Sequence, residues 1–197
     1  MIALPAVRKG RRALGRALPN TLLIGLCIIG LSLMARGAMI PAKAWVAQIL
    51  LDRAFNKSLL QHKPVKPWFW ADTVPVARIS LPRLGVSQIV LSGGSGQAMA
   101  FGPTLMPLRN PHVSIMAAHR DTHFAFMKQA RKGDVIEAQF IDGQKQAYRI
   151  TGFQIVRWDH FAYPRDPTLP LLALTTCYPL GATEHGPLRL VAWAEAQ

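Results

Sequence analysis

The sequence predicts an all-β domain, a barrel or a sandwich, carried behind one membrane-spanning helix. Beyond Val74 the chain breaks into short β-branched segments bounded by Gly, Pro and Asp, whereas ahead of it lies one long apolar run preceded by basic residues. Charge divides the same way. Residues 1–66 hold 11 of the 23 Lys and Arg and one acid, Asp52, and residues 67–197 hold 12 basic and 9 acidic side chains, so the net +13 splits into +10 and +3. A basic excess of that size raises nucleic acid as a partner. Here the excess flanks an apolar segment, and a membrane accounts for it without nucleic acid.

Arg8, Lys9, Arg11, Arg12 and Arg16 belong to a basic tail, residues 1–20, expected on the cytoplasmic side. Thr21 to Ile40 supplies 20 residues, enough to cross a hydrocarbon core of roughly 30 Å if Arg36 snorkels to the interface. A cleaved signal peptide is the competing reading, because Ala42-Lys43-Ala44 has the small-x-small form of a cleavage site. That site lies far past the end of the uncharged stretch, so the anchor at 21–40 is preferred, and both readings place the rest of the chain outside. Residues 41–73 form a juxtamembrane segment. Ala47, Leu50, Leu51, Ala54, Phe55 and Leu59 recur at three and four, which predicts an amphipathic helix over 43–61. His62-Lys63-Pro64-Val65-Lys66-Pro67 then breaks it, and Trp68, Phe69 and Trp70 are expected to plug into the domain surface.

Residues 74–197 hold the predicted strands Val76–Leu81, Val86–Leu91, Val113–Ala118, Val135–Phe140, Ala147–Val156, Leu171–Thr176 and Leu188–Ala194. Gly93, Gly94 and Gly96 read as a turn, since no phosphate-loop context follows them. The only cysteines are Cys27, inside the apolar run, and Cys177, so a disulfide is not expected.

Three polar residues end or interrupt these apolar strands: His119 after Ala118, Cys177 after Thr176, and Arg189 within Leu188-Arg189-Leu190. Singly, each fits a bland role: a buried thiol, a rim histidine, a solvated strand charge. Together they offer a nucleophile, an acid/base partner and a fixed cation, and both neighbouring charges would favour the thiolate that attacks. His119 and His123 stand four apart but lack the Glu of a zinc His-Glu-x-x-His helix, and no acidic cluster suits calcium. Neither a metal nor an organic cofactor is expected. Asp121 is expected to pair with Arg120 or to face solvent, ahead of orienting His119 through its ring.

Ala173-Leu174-Thr175-Thr176-Cys177 resembles the sortase signature Thr-Leu-x-Thr-Cys, with Ala where the family more often has Thr. Leu188-Arg189-Leu190-Val191 resembles the family's arginine strand, Ala118-His119-Arg120-Asp121 its histidine segment, and Lys132-Gly133-Asp134-Val135 its Gly-Asp turn. Ala42 to Leu51 and Lys66 to Asp72 are similar to sortases of Gram-negative proteobacteria. The resemblance implies a closed barrel of seven to eight strands with short connecting helices, in which His119, Cys177 and Arg189 converge at one end. It further implies a cysteine transpeptidase of the inner membrane with its domain in the periplasm. Such an enzyme cleaves a Leu-Pro-x-Thr-Gly-like sorting signal of an exported protein and passes the acyl group to an amine. Thr176, Ala118 and Tyr178 are the candidate substrate contacts. The rival readings are a thiol peptidase that hydrolyses, and an anchored binding module whose Cys177 is merely buried. A cell-wall L,D-transpeptidase fits less well, because Thr176 precedes the cysteine and Tyr178-Pro179 follow it.

Overall fold

The computed structural model describes residues 11–184 and 186–197, with side chains from Asn20 onward. Arg8 and Lys9 of the basic tail lie outside the described residues. The chain divides into two compact units, Met1–Val46 and Ala47–Gln197. Helix α1 (Arg11–Gln61) contributes to both. Anchor and juxtamembrane helix are thus one helix, continuous through Pro41, whose missing N–H removes a single bond to the preceding turn. In the first unit Leu22, Ile24, Leu26, Ile28, Leu31 and Ile40 all stand exposed, so the helix is apolar around its circumference, as lipid contact requires.

In the second unit the three-and-four periodicity is realised. Ala47, Leu51, Ala54, Phe55 and Ser58 are buried, and Leu51 and Phe55 pack against Ile89, Leu91 and Ala98. The Arg78 guanidinium lies 4.5 Å over the Phe55 ring and pairs with Asp52, so one strand cation clasps the helix twice. Buried Ser58 satisfies its hydroxyl by donating to Ala54 O (2.8 Å) and accepting from Val65 N (2.9 Å), which draws the chain back along the helix. His62, at φ 50°, makes the turn. Of the three aromatics expected to plug the surface, only Trp68 does, meeting Phe101 edge-on at 5.2 Å; Phe69 and Trp70 meet each other edge-to-face at 4.3 Å and stay 86% and 69% exposed.

Eight strands close a barrel in the order β1-β2-β3-β4-β7-β8-β6-β5. They are β1 (Pro75–Leu81), β2 (Val86–Ser92), β3 (Thr104–Leu105), β4 (Val113–Ala117), β5 (Val135–Phe140), β6 (Lys145–Arg157), β7 (Leu171–Cys177) and β8 (Leu188–Ala196), with the one-turn helix α2 (Gly96–Met99) before β3. Seven are the predicted strands. The eighth, β3, has two residues and too little length to carry a period. Pairing is antiparallel except β2 with β3 and β4 with β7, which are parallel.

The barrel interior holds Ile79, Leu81, Val90, Met116, Phe124, Ile136, Leu172, Leu174 and Leu190. The opposite faces of β4, β7 and β8 bury a second cluster, Val113, Ile115, Leu171, Ala173 and Val191, beneath Phe161 and Trp193. Burial on both faces is the reason these strands read as largely apolar runs rather than strictly alternating ones. Gly102 is required by close approach, because a Cβ there would meet Ile89 O at 2.6 Å.

One ion pair locks the turn ahead of β5. Arg83 Nε and Nη2 donate to the two Asp134 carboxylate oxygens at 2.5 and 2.7 Å, and the Arg131 amide adds a bond of 2.7 Å. Gly133, at φ +94°, allows the turn that presents Asp134. The Arg83 bonds, opposed by burial and aided by the Arg131 amide, hold the Asp134 carboxyl below its ordinary 3.8. A depressed carboxyl stabilises the fold above the unfolded value and loses that contribution as pH falls through the folded one. Asp134→Asn is therefore expected to cost about 1–3 kcal/mol at neutral pH. Thermal unfolding of both proteins from pH 7 down to pH 2.5 checks this: the gap in Tm should narrow once the pH drops below the unfolded carboxyl range, and a gap independent of pH would assign the cost to packing.

Candidate active site

The parallel pairing of β4 with β7 places Ala117 opposite Thr175, and Ala118 N donates to Thr175 O at 3.2 Å. Two residues further along each strand stand His119 and Cys177. Because the strands run the same way, both leave the sheet at the same rim of the barrel. Thr176 points inward, is buried, and donates its hydroxyl to Ala118 O at 2.7 Å, closing the ladder just below the pair. On the other side β8 runs antiparallel to β7 with Arg189 directly opposite Cys177. Phe124 N returns to His119 O (3.0 Å), so the chain turns immediately after the histidine and leaves its side chain exposed, while Cys177 and Arg189 are half-buried.

All three line one cleft of about 510 Å³, together with Ala118, Thr175 and Thr176. Its walls are apolar: Met99, Met106, Leu108 and Ile115 from one side, Trp158, Phe161 and Tyr163 from the other. The aromatic side is itself braced, since Phe161 stacks on Trp193 at 5.9 Å and 7°, and Trp193 Nε1 donates to Gln154 Oε1 at 3.1 Å. Tyr178 is not part of the lining; it packs against the barrel core, and its amide donates to Leu188 O at 3.0 Å.

Polar partners around the cleft are local. Arg189 Nη1 donates to Gly186 O (2.9 Å) and Leu188 O (2.8 Å), leaving Nε and Nη2 without an acceptor among the described residues. Arg120 pairs with neither Asp121 nor another acid. It is buried, and donates through Nη1 to Pro179 O (3.1 Å) and through Nη2 to Glu184 O (2.6 Å). Asp121 is exposed. His123 turns to Gln88, with Nδ1 and Oε1 3.0 Å apart, and burial, opposed by a hydrogen bond with the Ala100 backbone and aided by the nearby His119, holds its pKa below the ordinary imidazole value. Among the described residues no group of three or more His, Cys, Asp or Glu is placed to hold a metal ion.

A family model described as the Sortase domain matches residues 79–197. The chain belongs to the sortase family. Solved sortases share the fold. Sortase A from Corynebacterium diphtheriae aligns with TM-score 0.56 at 18% identity, over 65% of this chain and 63% of that one, so the chain spans less than two-thirds of its length. Sortase C-1 from Actinomyces oris gives 0.53 at 26% identity, over 62% and 72%. Sortase C from Clostridium perfringens SM101 gives 0.54 at 16%, over 79% and 90%. No curated protein sequence matches the chain. Sortases as a family are a class of cysteine transpeptidases.

Sequence reading passed over the walls of this sortase's cleft. Trp158, Phe161 and Tyr163 lie between two predicted strands, and three aromatics within six residues of loop were the available signal; Met99 and Met106 gave none. The Thr176 hydroxyl also has a partner that sequence does not reveal. Removing it while keeping shape tests its role in this rim. Thr176→Val should destabilise by about 1–3 kcal/mol, because Ala118 O is left unpaired, and Thr176→Ser should recover most of that. Equal Tm values for wild type and the valine variant would show the carbonyl to be paired elsewhere.

Proposed function

We propose that this sortase is a membrane-anchored transpeptidase acting on a Leu-Pro-x-Thr-Gly-like signal of an exported protein, with Cys177, His119 and Arg189 as its working groups. The observation that carries the reading is their meeting in one apolar-walled cleft at a barrel rim. Cys177 Sγ attacks the Thr carbonyl carbon, and the Thr–Gly C–N bond breaks as protonated His119 gives its proton to the departing amine. The resulting thioester is attacked by an incoming amine, which passes a proton to His119 and expels the Cys177 thiolate. Arg189 faces the developing oxyanion with the donors its loop carbonyls leave unused, a task that often contributes most in acyl transfer. Thr176 and Ala118 border the cleft from the strand side. The acceptor in the cell is an amine of a chemistry that the cleft walls do not specify.

Helix α1 supports a single-pass anchor, and the tail arginines support a cytoplasmic N-terminus with the barrel on the far side of the inner membrane. Protease added to spheroplasts is expected to digest residues 74–197; their protection would overturn this topology.

The chemistry is tested with an internally quenched Leu-Pro-Ala-Thr-Gly peptide and hydroxylamine as acceptor. Wild type should form a mass-detectable acyl adduct on Cys177 and a hydroxamate product. Cys177→Ala should abolish both, His119→Ala should be nearly as damaging, and the double variant should add little, since these groups act as a unit. Arg189→Lys should remain severely impaired, because an ammonium cannot reproduce the planar fork. Cleavage yielding only free acid at saturating hydroxylamine would make the enzyme a thiol peptidase, and full activity in both alanine variants would remove this reading.

A further inference from the structure

We propose that Arg120 is a positioning residue of this site, fixing the loop that follows Cys177 relative to the strand end that carries His119. The inference rests on the reading of Cys177 and His119 as a working pair. Backbone pairing of β4 with β7 stops at the bond from Ala118 N to Thr175 O, so both groups project beyond the sheet. From there the chain enters a loop, Tyr178 to Pro187, before returning as β8 with Arg189. Something must hold that loop, or the thiol and the imidazole wander independently.

Arg120 directly follows His119 and reaches across to that loop. Its guanidinium grips Pro179 O at 3.1 Å and Glu184 O at 2.6 Å, near the two ends of the excursion. Arg189 Nη1 holds Gly186 O at 2.9 Å from within β8, and Ala182 N closes on Pro179 O at 3.3 Å. The loop is therefore gripped by the residue after the histidine and by the active-site arginine. Thr176 ties the two strands together just before the pair, and Arg120 ties the strand end beyond His119 to the loop beyond Cys177.

The energetics argue that this is more than filler. Arg120 is only 8% exposed, and no carboxylate pairs with it among the described residues. Burying an uncompensated guanidinium is costly, and a structural tie between two carbonyls is available to neutral donors at less expense. The planar fork gives what they lack, two bonds of fixed relative direction from one rigid group.

The test uses the full chain in lipid nanodiscs with Cys27→Ser, so that Cys177 is the one thiol, and compares Arg120 with Arg120→Lys and Arg120→Met. Three quantities are read: the rate of Cys177 alkylation by iodoacetamide, kcat and KM for the quenched Leu-Pro-Ala-Thr-Gly peptide per alkylatable Cys177, and Tm. Arg120→Met is expected to lower kcat per active thiol by about 10–100-fold, with KM changed less than about threefold, the scale a displacement near 1 Å produces. Arg120→Lys, which keeps the charge and one bond, should recover part of it. Unchanged kcat per active thiol with a lower Tm would make Arg120 merely structural and overturn the proposal; so would a loss confined to KM. If Arg120→Met does not fold, the lysine variant decides by the same criteria. If wild type fails to cleave the peptide, the transpeptidase reading falls on its own, and the alkylation rate still decides: slower labelling in both variants supports the positioning role, and a wild-type rate overturns it.

Discussion

Because β4 and β7 run parallel with Ala117 opposite Thr175, whatever ends one strand must stand beside whatever ends the other. Antiparallel neighbours would send the two ends to opposite rims. The parallel pair needs a long crossover, and the chain supplies it with the 118–134 turn, the β5–β6 hairpin and the aromatic loop. β8 then returns antiparallel against β7, so the residue opposite Cys177 is fixed by register as Arg189. A slip of one residue in either pairing would turn Thr176 outward and bury Cys177 in the barrel. What resists that slip is burial on both faces: Leu172 and Leu174 point into the interior, and Leu171 and Ala173 into the second cluster.

That double burial sets the energetic order of the structure. Fully burying each large apolar side chain contributes roughly 1.5–3 kcal/mol, whereas an exposed ion pair such as Arg157 with Asp159 is screened by solvent and contributes little. Register is thus decided by apolar contacts, and polar groups refine what those contacts have placed. The Thr176 hydroxyl, the Arg83–Asp134 pair and the Arg120 fork all act at strand ends or turns, where the ladders have stopped and backbone carbonyls need donors.

The same division explains what the sequence made legible. Seven strands were visible because runs such as Leu171 to Thr176 and Val113 to Ala118 are mostly β-branched or apolar and have turn residues on either side. β3 was not, since Thr104-Leu105 gains its strand character from its two neighbours rather than from a pattern. His119, Cys177 and Arg189 stood out as polar residues at the ends of apolar strands, but their meeting depends on pairing between segments far apart in the chain. Of the roles expected for Asp121, exposure to solvent is the one realised, and Arg120 donates instead to Pro179 and Glu184, which are brought near only by the β4–β7 register. Likewise Phe69 and Trp70 share composition with Trp68 but not its place opposite Phe101.

The C-terminal part of α1 and the cleft are connected through the second unit itself. Gln48 Nε2 donates to Phe101 O at 2.7 Å, and Leu51 and Phe55 bury Ala98 against β2. Ala98 and Phe101 belong to the tight segment that Gly102 presses onto Ile89 and that Ser95 caps, its hydroxyl accepting from Ala98 N at 3.1 Å. Met99 lies between those two anchored residues and lines the cleft. One wall of the site therefore takes its position from α1, and the opposite wall, Phe161 on Trp193, takes its position from β8. A cleft whose opposite walls are positioned by two different elements keeps its shape only while both remain packed on the same barrel. That is the physical reason the last turns of α1 fold with the strands and not as a loose tether.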